Sequence, residues 1–338
     1  MPASDDTTEP ARDPSPADGE IVFGRTSGGG GASTMQRDWD NPAIGMFDGI
    51  AQEPGVPKPD PILIARDVSR SFGGLRAVDV EHIEVQRGAI TALIGPNGAG
   101  KTTFFNLLTQ FDTPDTGTIT FDGQSTAGVR SHELAARGMV RTFQLTKVLA
   151  KMPVIDNMML AAQHQGGESM WRALLNGWRP QERGVEDRAL QILDEFNMTH
   201  MKDEFAGALS GGQRKLLEMA RAMMAEPRLI MLDEPMAGVN PALTQSLLGH
   251  VKRLRSEGIS VMFVEHDMDV VQDISDWVIV MAEGQVIAEG PPRSIGENPA
   301  VVDAYLGSSH AALTEEIRTA AGGAAGEGDT APAGADDE

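Results

Sequence analysis

The chain has 338 residues, roughly two domains at the usual ~150 residues per domain, and 41% of them are hydrophobic against 23% charged. This is enough apolar material for a full core, which excludes a wholly disordered or fibrous chain. It has no cysteine, which excludes a disulfide framework, a zinc site of thiolates and a thiol nucleophile. There is no apolar run near the ~20 residues that cross a bilayer, and no basic segment followed by an apolar one at the N-terminus. The composition therefore predicts a cytoplasmic protein.

The net charge of −21 is concentrated at the two ends of the chain. Residues 1–60 hold 4 basic and 11 acidic side chains, and residues 308–338 hold 1 and 7. Both segments are rich in Pro, Gly, Ala and Asp, so we predict a disordered N-terminal extension (1–60), a folded domain (61–307) and a disordered tail (308–338). Within the extension, the apolar residues of Met35–Ile50 leave two alternatives, a linker or a segment that docks on a partner. An acidic chain without basic blocks predicts no nucleic-acid partner.

Short apolar runs and turn residues place the elements of the folded domain. The first half predicts strands at Ile62–Val68, Val78–Val85 and Ala89–Ile94, a helix at Lys101–Thr109 and a hairpin through Gly117–Phe121. The second half, after a mainly helical stretch, predicts strands at Arg228–Leu232 and Ile259–Val264, a helix at Pro241–Ser256 and a closing hairpin, Trp277–Met281 with Gln285–Ala288. Apolar strands that alternate with helices predict an α/β fold with a parallel sheet, interrupted by a helical lobe at about residues 145–225.

A glycine-rich turn between a predicted strand and a predicted helix fits the phosphate-binding pattern G-x-x-x-x-G-K-[ST] at every fixed position. Its glycines allow backbone N–H groups to surround a phosphate, and the following helix adds a partial positive charge. Lys101 is predicted to contact the β and γ phosphates, and Thr102 to bind Mg²⁺ through its hydroxyl. The predicted nucleotide-binding residues are Gly95, Pro96, Asn97, Gly98, Ala99, Gly100, Lys101, Thr102 and Thr103.

Two adjacent carboxylates, Asp233 and Glu234, end the predicted strand that begins at Arg228. Ligands of α/β sheets bind at the carboxyl ends of the strands, and neighbouring strand residues face opposite sides. We therefore expect Asp233 to hold Mg²⁺ and Glu234 to polarise the attacking water as general base.

A second helix start lies at Leu209–Gln213, where a serine N-cap and two glycines expose backbone donors at a positive helix end. These features predict a second anion-binding position in a chain that has a single phosphate loop. Its residues are Ser210, Gly211, Gly212 and Gln213.

Together, the three motifs resemble the ATP-binding cassette (ABC) family, and the likeness covers residues 61–307. The resemblance implies a P-loop NTPase with an ABC-type helical subdomain at about 145–225, an N-terminal antiparallel β subdomain, and ATP with Mg²⁺ as its ligands. It places Gln144 among both the catalytic residues and the Mg²⁺ ligands, makes His266 the switch histidine, and sets Phe72 against the adenine. Asn240 occupies a loop position where many members have Asp.

Finer similarities, among them Asn157–His164 and Asn298–Gly307, resemble the ATP-binding subunit of branched-chain amino-acid importers. This resemblance implies a homo- or heterodimer with a second ABC ATPase, multispanning permease subunits, an indirect link to a substrate-binding protein, and a place on the inner face of the cell membrane. The alternatives are an ABC ATPase for another substrate, such as urea, an amide or exported lipopolysaccharide, and a cytosolic ABC ATPase without a transport role. A nucleotide kinase or GTPase is disfavoured by the segment at Ser210 and by Asp233-Glu234.

Overall fold

The computed structural model describes residues 43, 45–142, 148–162 and 179–306. The predictions of disorder for 1–42 and 308–338 fall outside these residues. The strands are β1 (Pro61–Phe72), β2 (Leu75–Gln86), β3 (Ile90–Ile94), β4 (Thr116–Phe121), β5 (Gln124–Ser125), β6 (Met139–Arg141), β7 (Leu229–Asp233), β8 (Ser260–Val264), β9 (Trp277–Ala282) and β10 (Gln285–Gly290). The helices are α1 (Lys101–Leu108), α2 (Ser131–Ala136), α3 (Val154–Leu160), α4 (Arg179–Glu195), α5 (Gly211–Met223), α6 (Pro241–Ser256), α7 (Met268–Ile274) and α8 (Pro292–Ile295). Residues 299–306 are also helical.

A six-stranded sheet in the order β10-β9-β3-β8-β7-β6 forms the centre of the described chain. Its strands β9, β3, β8, β7 and β6 run parallel, and only the pairing of β10 with β9 is antiparallel. Strands β3, β7 and β8 are buried along their whole length, as expected for a parallel sheet covered on both faces. The predicted α/β architecture is confirmed.

Each central strand divides its side chains between two hydrophobic cores. Ile230 and Leu232 of β7 face a core built with helices α3, α5 and α6, whereas Leu229 and Met231 face a core built with α1 and the second sheet. This alternation follows from the two-residue repeat of a strand. The second sheet has the order β2-β1-β4-β5 and is antiparallel throughout, which confirms the predicted antiparallel β layer.

The region between β6 and β7 is helical where it is described. Helices α3, α4 and α5 pack on one another through buried side chains and share a core with the parallel sheet. The limits of the predicted helical subdomain stay a prediction, because residues 143–147 and 163–178 are not described. In the described part of the chain, no helix combines the length and the apolar composition that a membrane span requires.

Residues 45–60 pack on the folded domain, which corrects the predicted boundary at residue 60. The ring of Phe47 stacks on Trp277 with ring centroids 4.8 Å apart. Ile50 and Val56 are partly buried against the core beneath the antiparallel sheet. The apolar residues of this segment therefore cover a surface of their own chain. This arrangement differs from both alternatives that the sequence left open, a linker and a segment that docks on a partner.

A buried ion pair fixes the end of the same segment. Lys58 Nζ lies 2.8 Å from Glu289 Oε2, and the two side chains are 1% and 0% exposed. The N–H of Gly55 donates to the other oxygen of Glu289 at 2.7 Å. The partner is 231 residues away in the sequence, so composition near residue 58 gave no sign that this stretch would be ordered.

Candidate functional site

Four neighbouring strands of the parallel sheet, β3, β8, β7 and β6, end at the same edge. The phosphate loop follows β3, and Glu234 follows β7. His266 follows β8 after one intervening residue, and β6 ends at Arg141. Parallel pairing thus brings together motifs that are far apart in the sequence.

The phosphate loop has a backbone that needs glycine at two positions. Gly95 has φ 150° and Gly100 has φ 93°. A Cβ at Gly95 would lie 2.0 Å from the carbonyl oxygen of Met281, and one at Gly100 would lie 2.4 Å from that of Ala77. Both contacts are shorter than any real Cβ contact, so the loop can approach β9 and β2 this closely only with glycine.

Helix α1 begins at Lys101 directly after this loop, with Gly100 as its N-cap. The first N–H groups of a helix have no intrahelical partner, so they are available to an anion. Lys101 Nζ donates to the carbonyl oxygens of Gly95 and Pro96 at 2.7 and 2.9 Å. Burial lowers the pKa of Lys101, and the carboxylate of Glu234 opposes this shift. Thr102, on the next position, is exposed.

The two carboxylates at the end of β7 have different surroundings. Asp233 is 5% exposed and accepts a hydrogen bond from Arg141 at 2.8 Å. Arg141 also donates to Asn106 of α1 at 2.6 Å. Glu234 leaves the strand with φ 47°, a left-handed conformation that is uncommon for a residue with a side chain. Its N–H donates to the carbonyl oxygen of Val264 at 3.1 Å.

Ser210 caps helix α5. Its Oγ accepts the N–H of Gln213 at 3.3 Å, and its own N–H donates to Gln213 Oε1 at 2.8 Å. This reciprocal capping box uses the Gln213 side chain within its own helix. Ser210 and Gly211 are exposed at the helix start, where backbone donors and the helix dipole favour an anion.

His266 is an exposed residue beside a buried acid. Its side chain is 65% exposed, and its Nδ1 lies 3.8 Å from Glu265 Oε2, whose side chain is 1% exposed. Burial raises the pKa of Glu265, and the N–H groups of Met236 and His266 donate to its carboxylate and counter that effect.

The remaining predicted positions lie at the edges of the site. Phe72, at the end of β1, is 49% exposed, and the Arg70 guanidinium lies 4.9 Å from its ring centroid. Asn240 caps helix α6 by accepting the N–H of Leu243 at 3.0 Å. Gln144 falls outside the described residues.

Sequence reasoning gave no role to three charged residues that contact the predicted motifs, namely Arg141, Lys215 and Glu265. Arg141 precedes the Gln144 position, Lys215 follows Gln213, and Glu265 precedes His266. Proximity to a motif in sequence was the available signal, although only the fold shows what each one contacts.

Comparisons with known proteins assign the chain to a family. A family model described as ABC transporter matches residues 79–237, and one described as branched-chain amino acid ATP-binding cassette transporter matches residues 285–311. The chain is 42% identical over 247 residues to the "Probable branched-chain amino acid transport ATP-binding protein LivG" of Archaeoglobus fulgidus, an alignment that covers 73% of this chain and 96% of the relative. The chain belongs to the ABC transporter family. As a member, it is an ATPase that binds and hydrolyses ATP.

Other relatives of this ABC ATPase are similar over the same share of the chain. It is 42% identical to the high-affinity branched-chain amino acid transport ATP-binding protein BraF of Pseudomonas aeruginosa, over 74% of this chain and 99% of the relative. A crystal structure of a nucleotide-free ATP-binding cassette from an ABC transporter superposes with a TM-score of 0.64 at 36% identity, over 72% of this chain and 98% of that one. These likenesses confirm the predicted P-loop ABC fold.

Proposed function

We propose that this chain is the ATP-hydrolysing subunit of an importer for branched-chain amino acids. The observation that carries the proposal is the match of residues 285–311 to the model for branched-chain amino acid cassettes, supported by relatives whose names state that transport. The amino acid would cross through separate multispanning permease subunits, delivered to them by a substrate-binding protein. The chain would bind those permeases on the inner face of the cell membrane.

The residues at the sheet edge suit a magnesium nucleotide. The phosphate loop, whose backbone requires glycine, and the start of α1 offer N–H groups to the phosphates, and Lys101 offers an ammonium. Thr102, Gln144 and Asp233 would hold Mg²⁺, because hydroxyl, amide and carboxylate oxygens are ligands of the kind that this ion prefers. When bound, Mg²⁺ supplies positive charge next to the phosphate oxygens. Phe72, half exposed at the rim, would stack on the adenine.

In this proposal, Glu234 is the general base for ATP hydrolysis. Glu234 follows β7 at the sheet edge where the phosphate loop follows β3, and its carboxylate opposes the lowering of the Lys101 pKa, so both observations support a position near the γ-phosphate. It would accept a proton as the attacking water forms its bond to phosphorus and the bond to ADP breaks. His266 and Gln144 would contact the γ-phosphate and the water, and the exposure of His266 leaves it accessible to them.

The start of helix α5 would bind the ATP of a second ABC ATPase. Ser210 and Gly211 are exposed and available to a second ATP. Lys101 contacts the phosphate loop of its own chain, which would bind the first ATP. A homo- or heterodimer would then hold each ATP between one phosphate loop and the partner's Ser210 segment. ATP binding would close the dimer, and hydrolysis would reopen it, with Gln144 relaying the change to the permease.

The experiment that tests this function is transport by the reconstituted complex. We would place the chain with its permease and binding protein in proteoliposomes and measure uptake of labelled leucine, isoleucine and valine together with ATP hydrolysis. We expect ATP-dependent uptake, and stimulation of hydrolysis by the binding protein loaded with any of the three amino acids. Glu234→Gln should slow both by at least ~10²-fold. Stimulation by urea or an amide alone would contradict the proposed substrate class, while leaving the ATPase assignment intact.

A further inference from the structure

Lys215 is a half-buried lysine on the first turns of helix α5, two residues after Gln213. Its ammonium donates three hydrogen bonds to backbone carbonyl oxygens, those of Glu234 at 3.1 Å, Pro235 at 3.0 Å and Ala237 at 2.7 Å. A lysine ammonium has three N–H donors. All three are therefore used on one short turn, the segment that follows β7.

That turn carries Glu234 in a conformation that needs support. With φ 47°, Glu234 lies in the left-handed region, which disfavours residues with a side chain and persists where surrounding contacts hold it. Three carbonyl oxygens within four residues converge on a single point, the Lys215 ammonium. A cation there stabilises an arrangement in which these dipoles would otherwise repel one another.

A buried acid also holds the same turn. Glu265, 1% exposed, accepts the N–H of Met236 at 2.9 Å. Burial lowers the pKa of Lys215, while the carboxylates of Glu265, Glu218 and Glu234 oppose that shift. The turn thus contacts both a cation, through its carbonyl groups, and a carboxylate, through one of its N–H groups.

We propose that Lys215 is a positioning residue for ATP hydrolysis: it holds the 234–237 turn in the conformation that presents the Glu234 carboxylate. It also joins that turn to helix α5, whose first residues form the proposed binding site for the partner's ATP. The inference rests on the proposed function, in which Glu234 is the general base. Lys215 touches the backbone of that residue and acts through it.

The test compares three variants in the full-length chain within its transporter complex. Lys215→Met removes the donors and keeps the length of the side chain, Lys215→Arg restores a cation with several donors, and Lys252→Met is the control. Lys252 lies on α6 and pairs with Asp273 through side chains that are 32% and 34% exposed. We expect Lys215→Met to lower kcat by about 10- to 100-fold, the scale of a misplaced catalytic group, with ATP affinity within about threefold of wild type. Lys215→Arg should recover most of the rate, and the control should change little.

Two further measurements separate positioning from general stabilisation. Adding Lys215→Met to a Glu234→Gln chain should cause no further loss, because the lysine acts through the carboxylate that is already absent. Hydrogen exchange of peptides covering residues 234–239 should be faster in Lys215→Met than in Lys252→Met, with exchange in the β3 peptide unchanged.

Three results would overturn the inference. A kcat for Lys215→Met within about twofold of wild type, with Glu234→Gln inactive, removes the positioning role and leaves the proposed function standing. Parallel losses of melting temperature, ATP affinity and kcat that Lys215→Arg does not recover assign Lys215 a purely structural role. ATP hydrolysis by the wild-type complex that Glu234→Gln leaves unchanged removes the general-base role of Glu234 in the proposed function and the positioning role together.

Discussion

The ion pair between Lys58 and Glu289 gives a quantitative test of how residues 45–60 are held. Lys58→Met keeps the apolar stem and removes the charge, which leaves a carboxylate that is 0% exposed without its cation. Removing one partner of a buried pair costs about 3–5 kcal/mol. Glu289 would keep hydrogen bonds from the Gly55 N–H at 2.7 Å and Trp277 Nε1 at 3.0 Å. We therefore expect the lower end of that range, about 3 kcal/mol of unfolding free energy.

For a domain of this size, about 3 kcal/mol corresponds to a fall of roughly 6–12 °C in Tm. Circular dichroism during thermal and urea unfolding would measure it. Lys252→Met is the matched control, since its pair with Asp273 is about one-third exposed on each side and should contribute under about 1 kcal/mol. The double variant Lys58→Met/Glu289→Gln should lose less than the two single variants summed. A loss for Lys58→Met no larger than for Lys252→Met would refute the reasoning.

Glu234→Gln should retain ATP binding and slow hydrolysis by at least ~10²-fold in a steady-state phosphate-release assay; a rate near wild type would show that another group is the base. The ring of His250 stacks on that of Phe196 with centroids 4.2 Å apart, and burial lowers the pKa of His250 from 6.5. The folded chain then binds fewer protons than the unfolded one, so stability falls as the pH drops below about 6.5 and through the lowered pKa. His250→Phe should flatten that fall in urea titrations, and an unchanged slope would contradict it. A Ser210→Arg chain mixed with a Lys101→Ala chain should regain part of the ATPase activity that each lacks alone, because one composite site is intact; no recovery in a nucleotide-loaded mixed dimer would argue against shared sites.

Elements with strong local signals were predictable from the sequence. Helix α6 has the predicted limits, Pro241–Ser256, because Asn240 supplies an N-cap and proline suits the first helical position. Strands β3, β7 and β8 appear within one residue of the predicted limits at either end, since a continuous apolar run is typical of a buried parallel strand. The short strand Met139–Arg141 and the helix Ser131–Ala136 were not predicted, because neither is long enough to show a periodic pattern.

The candidate site likewise contains residues that the sequence could identify and residues that only the fold could identify. The phosphate loop and the Asp233-Glu234 pair were recognisable because each depends on adjacent residues. Arg141 contacts Asp233 across 92 positions of sequence, so no local pattern could join them. The pairing of β6 with β7 in the parallel sheet brings them together.

The sequence by itself determined the motifs, the parallel α/β plan and the residue types that a magnesium nucleotide requires, because each is signalled by residues that are close together in the chain. Only the tertiary structure decided which distant groups hold those motifs in place. Lys215 contacts the carbonyl groups of the 234–237 turn, and Lys58 contacts Glu289. In both cases the packing of strands and helices brings together residues that are separated in the sequence. A buried charge must find a partner wherever the fold places one, and the identity of that partner is set by packing rather than by sequence distance.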